Sequence, residues 1–150
     1  MQKITQYVLG FITDGHRVLL IKKNRPENQV GLYNGIGGKV NDNELPLDAM
    51  IRESKEETNL DIKDWVKIET FDYPSDNIVL HLYQAYVSKK YITKYKTMTD
   101  EVVRIFKIKN LPKNLFYDVE YICKKRLVKP NTIKELFKIS YLGQQPHPEG

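Results

Sequence analysis

Residues 46–58, PLDAMIRESKEET, read as one helix with an unusual distribution of charge. Pro46 suits a first helical turn, where its missing N–H costs nothing. At 100° per residue, with Glu53 at zero, Glu56 falls at about −60° and Glu57 at about +40°. The three carboxylates therefore share one stripe. Leu47, Met50, Ile51, Ser54 and Thr58 form a second stripe, expected to face a core. Asp48, Arg52 and Lys55 take the remaining side, read as solvent-facing. The helix therefore has three faces, and one is purely acidic. Three glycines, Gly35, Gly37 and Gly38, precede it in NGIGGK.

Like charges at i,i+3 and i,i+4 destabilise a helix by about 0.2–0.5 kcal/mol per pair. Glu53–Glu56 and Glu53–Glu57 both incur that cost, and only Arg52 can reach Glu56 from four residues before it. A face kept only for solubility would alternate its signs. A carboxylate cluster is explained when a hard divalent cation sits on it, because Mg²⁺ takes oxygen ligands and bridges carboxylates to substrate phosphates.

The spacing goes further. Gly38, Glu44, Arg52, Glu53, Glu56, Glu57 and Leu60 match the pattern G-x5-E-x7-R-E-U-x-E-E-x-G-U, where U is bulky and apolar. The stretch resembles the box of the Nudix hydrolases. Two positions depart. Ser54 stands where a bulky apolar residue is usual and is expected to weaken packing. Asn59 replaces the final glycine and is expected to end the helix in the left-handed conformation, which Asn tolerates next best.

The resemblance implies an α/β fold, a Nudix-type α/β/α sandwich around a mixed sheet. It implies that Glu53, Glu56 and Glu57 hold Mg²⁺, or Mn²⁺ in its place, with the backbone carbonyl near Gly38. Either Glu53 or Glu56 would deprotonate water. Glu44 would orient water or support the metal shell. Arg52 would fix the carboxylates through charge-assisted hydrogen bonds. The family cleaves a nucleoside diphosphate linked to another moiety, so the implied partner is a small nucleotide.

Outside the box, GLYNGIGGKV resembles the MutT-like branch that destroys oxidised purine triphosphates such as 8-oxo-dGTP. That looser resemblance implies that Asn34 and Asp118 read the purine and Phe116 stacks on it. Lys23, Arg25 and Lys39 become candidate substrate contacts, with Lys22 nearby, and Glu101 a carboxylate near the metal. Each has a plainer reading: Asn34 shaping a turn, Asp118 capping a helix, Phe116 in the core. Phe71 and Tyr73 read as core or pocket wall. Pro74 lies where some ADP-ribose hydrolases of the family carry a proline, although a proline after FDY also suits an ordinary turn. ADP-ribose and dinucleoside polyphosphates remain alternative substrates. A binding module without catalysis is another class, and retention of every box glutamate argues against it.

The rest of the chain reads as one domain over residues 1–150. Strands are expected at ITQYVLGFI, RVLLIK, WVKIETFDY, NIVLHLYQAYV and EVVRIFKI, where β-branched and aromatic residues recur. Asp14-Gly15 predicts a primed hairpin turn with positive φ at both central residues. Residues 22–33 read as a loop, DVEYICKKRLV as a helix and KELFKISYL as a strand. The tail from about residue 143 is expected to fray. No run approaches the roughly 18 apolar residues of a membrane span. MQKITQYVLGFI lacks a small-residue cleavage site and reads as a strand, not a signal peptide. Cys123 is the lone cysteine, which suits a reducing, cytoplasmic compartment. The net charge of +5 suits an anionic partner without naming one. KKYITKYK and KKRLVK interleave basic and apolar residues, yet read as solvated faces, so no nucleic-acid partner is expected. His16, His81 and His147 do not cluster, so no zinc site or triad emerges.

Overall fold

The computed structural model describes residues 3–128. The expected strand KELFKISYL, the frayed tail and His147 lie outside them. Seven strands form one mixed sheet: β1 (Thr5–Thr13), β2 (Arg17–Lys22), β3 (Tyr33–Asn34), β4 (Ile36–Lys39), β5 (Val66–Tyr73), β6 (Ile78–Tyr86) and β7 (Val103–Lys107). β1 and β6 run parallel from Thr5 opposite Ile78 to Thr13 opposite Tyr86. The other pairings between strands are antiparallel.

The sheet forks along one edge of β1. Near its end, Thr13 pairs with Val18 of β2. Further back, Tyr7–Gly10 pairs instead with β4, Lys39 to Ile36. β2 continues into a second wing, flanked by β3 and β7. This fork brings the glycine segment 35–38 into the middle of the molecule.

Side chains alternate between two cores, as a period of two requires. Val8, Ile12, Leu19, Ile21, Ile36, Met50 and Trp65 pack on the side of helix α1 (Pro46–Thr58). Phe11, Val18, Leu20, Tyr33, Leu82 and Ile122 pack on the other. The second side is covered by a single turn, α3 (Val119–Tyr121), which widens into a π-helical turn over Ile122–Arg126. The expected C-terminal helix is thus one irregular piece. Cys123 is buried there, its thiol pushed up to about 12 by burial. A short helix, α2 (Lys89–Ile92), interrupts the basic stretch 89–96, capped by the Ser88 hydroxyl, which accepts from Tyr91 N–H. Among the described residues, no helix is long and apolar enough to cross a membrane.

The first hairpin departs from its expected turn. Asp14 N–H donates to the Arg17 carbonyl, so the two loop residues are Gly15 and His16. Gly15 has φ +97°, and His16 is not among the positive-φ residues. One positive φ, at the first loop position, is the pattern of a type II′ turn. Asp14 stays at the strand end, where its carboxylate accepts from His16 N–H, Arg17 N–H and the Arg17 guanidinium. Burial alone would raise this carboxyl. The hydrogen bonds outweigh it and hold the group below its ordinary 3.8. A depressed folded pKa stabilises above the unfolded value, and that stabilisation is lost as pH falls through the folded value. Asp14→Asn is therefore expected to cost about 1–2 kcal/mol at pH 7. Denaturant titrations of both proteins should converge as pH falls below 3.8.

Helix α1 begins and ends where expected. Pro46 occupies its first turn, and Asn59 closes it in the left-handed region at φ +65°. Two details of its core stripe differ. Leu47 is exposed and Ile51 half-buried. Ser54 is fully buried, but its hydroxyl donates to the Leu60 carbonyl at 3.0 Å. Thr58 Oγ1 donates to the Ser54 carbonyl and accepts from Leu60 N–H. Ser54 therefore ties down the chain leaving the helix, in place of the weakened packing expected from its size.

Candidate active site

β4 and α1 face each other at the fork. Gly37 lies so close to β1 that an added Cβ would stand 2.0 Å from the Val8 carbonyl oxygen. An added Cβ at Gly38 would stand 2.5–2.8 Å from the carboxyl atoms of Glu53. These two glycines let the acidic flank of α1 lie directly on the strand backbone.

The three box glutamates are not equivalent. Glu56 is the outermost, with its side chain half exposed. Glu53 is mostly shielded beside Gly38. Glu57 is buried, and its carboxylate accepts from Gly37 N–H at 3.0 Å. Burial, then the charge of Glu53, pushes the Glu57 carboxyl up to about 8. Gly37 N–H and Lys23 oppose the rise, and Glu101 adds to it. Burial likewise raises Glu53, against the pull of Arg52.

Arg52 organises the flank and is not the solvent-facing residue the helical wheel suggests. Its guanidinium makes a bidentate pair with Glu44 at 2.9 and 3.0 Å. It also donates to Glu53 at 3.0 Å, to Glu56 at 2.9 Å and to the Lys39 carbonyl at 3.0 Å. Five contacts to one planar fork fix its position. Glu44 is held charged by Arg52, its carboxyl below the usual range.

Glu101 enters from the loop before β7. It is buried, accepts from Lys23 Nζ at 3.0 Å and from Asn24 N–H at 2.6 Å. Arg25 pairs with Asp100 at 2.7 Å. Lys23 and Arg25 are therefore held by acidic partners, while the Lys39 side chain is exposed. Asp100 was not singled out in the sequence, although it adjoins Glu101 and faces the Arg25 that was.

The base-reading candidates gather beside β3. Phe116 N–H donates to the carbonyl of Tyr33, the residue before Asn34, at 2.9 Å. Asn34 is buried, its Oδ1 accepting from Gly35 N–H at 2.7 Å. Phe116 packs against the second core with its ring 5.1 Å from that of Tyr117. Asp118 is exposed, sits at φ +66° and makes no side-chain cap bond to α3. Asp118 therefore stands at the N-cap position of α3, where its carbonyl accepts from Ile122 N–H at 2.8 Å, but its carboxylate caps no N–H. An open hollow of about 420 Å³ is lined by Leu111, Pro112, Phe116, Tyr117, Asp118 and Glu120. Phe71 is half-buried against the same core, and Tyr73 is exposed.

Residues 3–123 match the model of the NUDIX domain. The chain belongs to the Nudix family. A Proteus vulgaris protein named 8-oxo-dGTP diphosphatase is 30% identical over 90 residues, 58% of this chain and 80% of that one. A MutT Nudix hydrolase from Burkholderia pseudomallei superposes with a TM-score of 0.68 at 22% identity, covering 85% of this chain and all of the other. A Nudix-family hydrolase from Clostridium perfringens gives 0.61 at 18% identity, covering 83% of this chain and 97% of that one. Both share the mixed α/β fold.

Nudix hydrolases act on nucleoside diphosphate derivatives and generally use divalent metals. Among the described residues, no three His, Cys, Asp or Glu side chains already converge as a metal-binding set. Glu53 and Glu56 are turned toward Arg52, and Glu57 toward Gly37. The donor chemistry nonetheless fits a hard cation. A carboxyl raised to about 8 by burial, and further by the charge of Glu53, is a site short of positive charge.

Proposed function

We propose that this Nudix protein hydrolyses nucleoside triphosphates to a nucleoside monophosphate and pyrophosphate, with an oxidised purine such as 8-oxo-dGTP as the preferred substrate. The observation that carries the reading is Glu57, buried on Gly37 N–H and pressed by the charges of Glu53 and Glu101. Glu53, Glu56, Glu57 and the Gly38 carbonyl would hold Mg²⁺, with Glu101 at its edge. When bound, Mg²⁺ neutralises pyrophosphate charge and acidifies a water.

The chain's own residues supply the rest. A water oxygen attacks a phosphorus of the α–β bridge, that phosphorus's bond to the bridging oxygen breaks, and nucleoside monophosphate and pyrophosphate separate. Glu53, shielded and raised above an ordinary carboxylate, is the better placed of the two candidate bases to take the water proton. Arg52 holds Glu44, Glu53 and Glu56 at fixed positions during that transfer. Asn34, Phe116 and Asp118 would read the base, and the Proteus vulgaris relative's name supports that substrate.

The ADP-ribose alternative rests on Pro74. That residue opens a short 3-10 turn, Pro74–Asp76, closed by Asn77 at φ +53°, so turn geometry accounts for it. A panel of 8-oxo-dGTP, dGTP, dATP, ADP-ribose and diadenosine tetraphosphate tests the assignment. Preferred turnover of 8-oxo-dGTP is expected. Asn34→Ala should lower kcat/KM for 8-oxo-dGTP at least tenfold, by about one lost hydrogen bond, and far less for dATP. Equal loss on every base would show that Asn34 only supports Gly35.

A further inference from the structure

Val128 is held at a fixed point on the face of the sheet opposite α1. Gln84 of β6 is fully buried there, in the row Phe11–Gln84–Val66 that crosses β1, β6 and β5. Its side-chain amide is spent on one residue's backbone. Oε1 accepts from Val128 N–H at 2.6 Å, and Nε2 donates to the Val128 carbonyl at 3.4 Å. Two residues earlier, the Arg126 guanidinium donates to Glu69 of β5 at 2.7 Å. A buried amide left unpaired costs the desolvation of its polar atoms, so Gln84 keeps Val128 over β6.

Toward the start of β6 the same face is apolar and open. Side chains two residues apart on a strand share a face, so Leu82, Leu80 and Ile78 follow Gln84. Leu80 lies between Tyr7 of β1 and Phe71 of β5, and Ile78 between Thr5 and Tyr73. Phe11, Leu82 and Phe71 belong to the second core, which fixes this side as the one away from α1. Leu80, Phe71 and Ile78 are half-buried, while Tyr7 is 36% and Tyr73 46% exposed. Large apolar side chains in two adjoining rows form a contiguous patch, unlike a lone exposed residue.

The chain carries a matching piece. KPNTIKELFKISYLGQQPHPEG follows Val128. Pro130-Asn131 suits the central positions of a reversing turn. Ile133, Leu136, Phe137, Ile139, Tyr141 and Leu142 then crowd into ten residues. At a period of two, Phe137, Ile139 and Tyr141 share a side. At 100° per residue, Ile133, Leu136, Phe137 and Tyr141 do. On either period Phe137 and Tyr141 fall on an apolar side and Lys138 off it. The Leu80 row lies four residues along β6 from Gln84, about 13 Å, within the reach of residues 129–133.

We infer that residues 133–142 of this chain dock on the apolar face formed by Tyr7, Leu80, Phe71, Ile78 and Tyr73, and complete the cover that α3 and the π-helical turn begin. The anchor at Val128 favours this occupant over a second copy, because a short tether gives an effective concentration on the order of millimolar.

The test is hydrogen–deuterium exchange of the full chain, compared with a synthetic peptide of residues 129–150. Backbone amides of 133–142 are expected to exchange at least about tenfold more slowly in the protein. Tyr73→Lys and Tyr7→Lys each place a charge in the patch from an exposed position, so α1 should keep its protection in both. Both should return 133–142 to within about threefold of the peptide rate. Phe137→Asp should do the same and raise binding of a hydrophobic dye. Leu47→Lys, exposed on α1, should change neither readout. If one patch variant also unfolds α1, the other and Phe137→Asp decide. Peptide-rate exchange in the wild type, or protection that survives the patch substitutions, overturns the inference. Protection that grows with protein concentration, with a doubled mass in sedimentation, gives the face to a second copy and overturns it as well.

Discussion

Glu57→Gln is expected to lower turnover by about three orders of magnitude or more, the scale lost with a charged group at a metal-assisted centre. The substitution is nearly isosteric. An amide oxygen can still accept from Gly37 N–H, the contact Glu57 makes at 3.0 Å. With its carboxyl pushed up to about 8, metal-free Glu57 is mostly neutral at pH 7, so the amide replaces a group that carries little charge and removes what charge repulsion remains with Glu53 and Glu101. Stability of the metal-free protein should therefore be unchanged or higher, with the same circular dichroism. Glu56→Gln provides the contrast, because Glu56 is half exposed and, among the described residues, is held only by Arg52. It should also lower turnover by orders of magnitude, without the gain in stability. Near-normal activity in either variant would remove that residue from the metal site.

Gly37→Ala carries the largest expected effect on the fold. Its Cβ would lie 2.0 Å from the Val8 carbonyl oxygen, and backbone cannot swing aside as a side chain can. The pairing of β4 with β1 must open, at a cost of about 3 kcal/mol or more. Urea titration should show a lower midpoint with an unchanged slope. Gly31→Ala is the control. It has φ +80° but open space around the added Cβ, so only backbone strain of about 1–2 kcal/mol is expected. Equal losses in the two variants would show that the close approach at Gly37 contributes nothing of its own.

Helix α1 was legible almost to the residue because its signals are local. Pro46 sets its start, Asn59 its end, and the three-face pattern its orientation. The unequal burial of Glu56 and Glu57 was not legible, because it depends on where β4 lies, and β4 is placed by pairing with β1 across 26 or more residues of sequence. Ser54 illustrates the same limit. Its size suggested a packing defect, whereas its partner is a carbonyl beyond the helix end. The hairpin after Thr13 formed where expected, but its central residues are Gly15 and His16, because Asp-Gly signals a turn without stating which residues are central.

The central claim is that the carboxylate flank of α1 makes a cation-dependent site that splits a nucleoside triphosphate between its α- and β-phosphates. It is tested most directly by stripping the protein of metal, adding 8-oxo-dGTP, and titrating Mg²⁺ back while resolving the phosphate products. The account predicts no turnover in chelator and recovery with Mg²⁺, with monophosphate and pyrophosphate formed one to one. Glu57→Gln should remain silent throughout. Turnover in chelator, or release of diphosphate with inorganic phosphate, would contradict it.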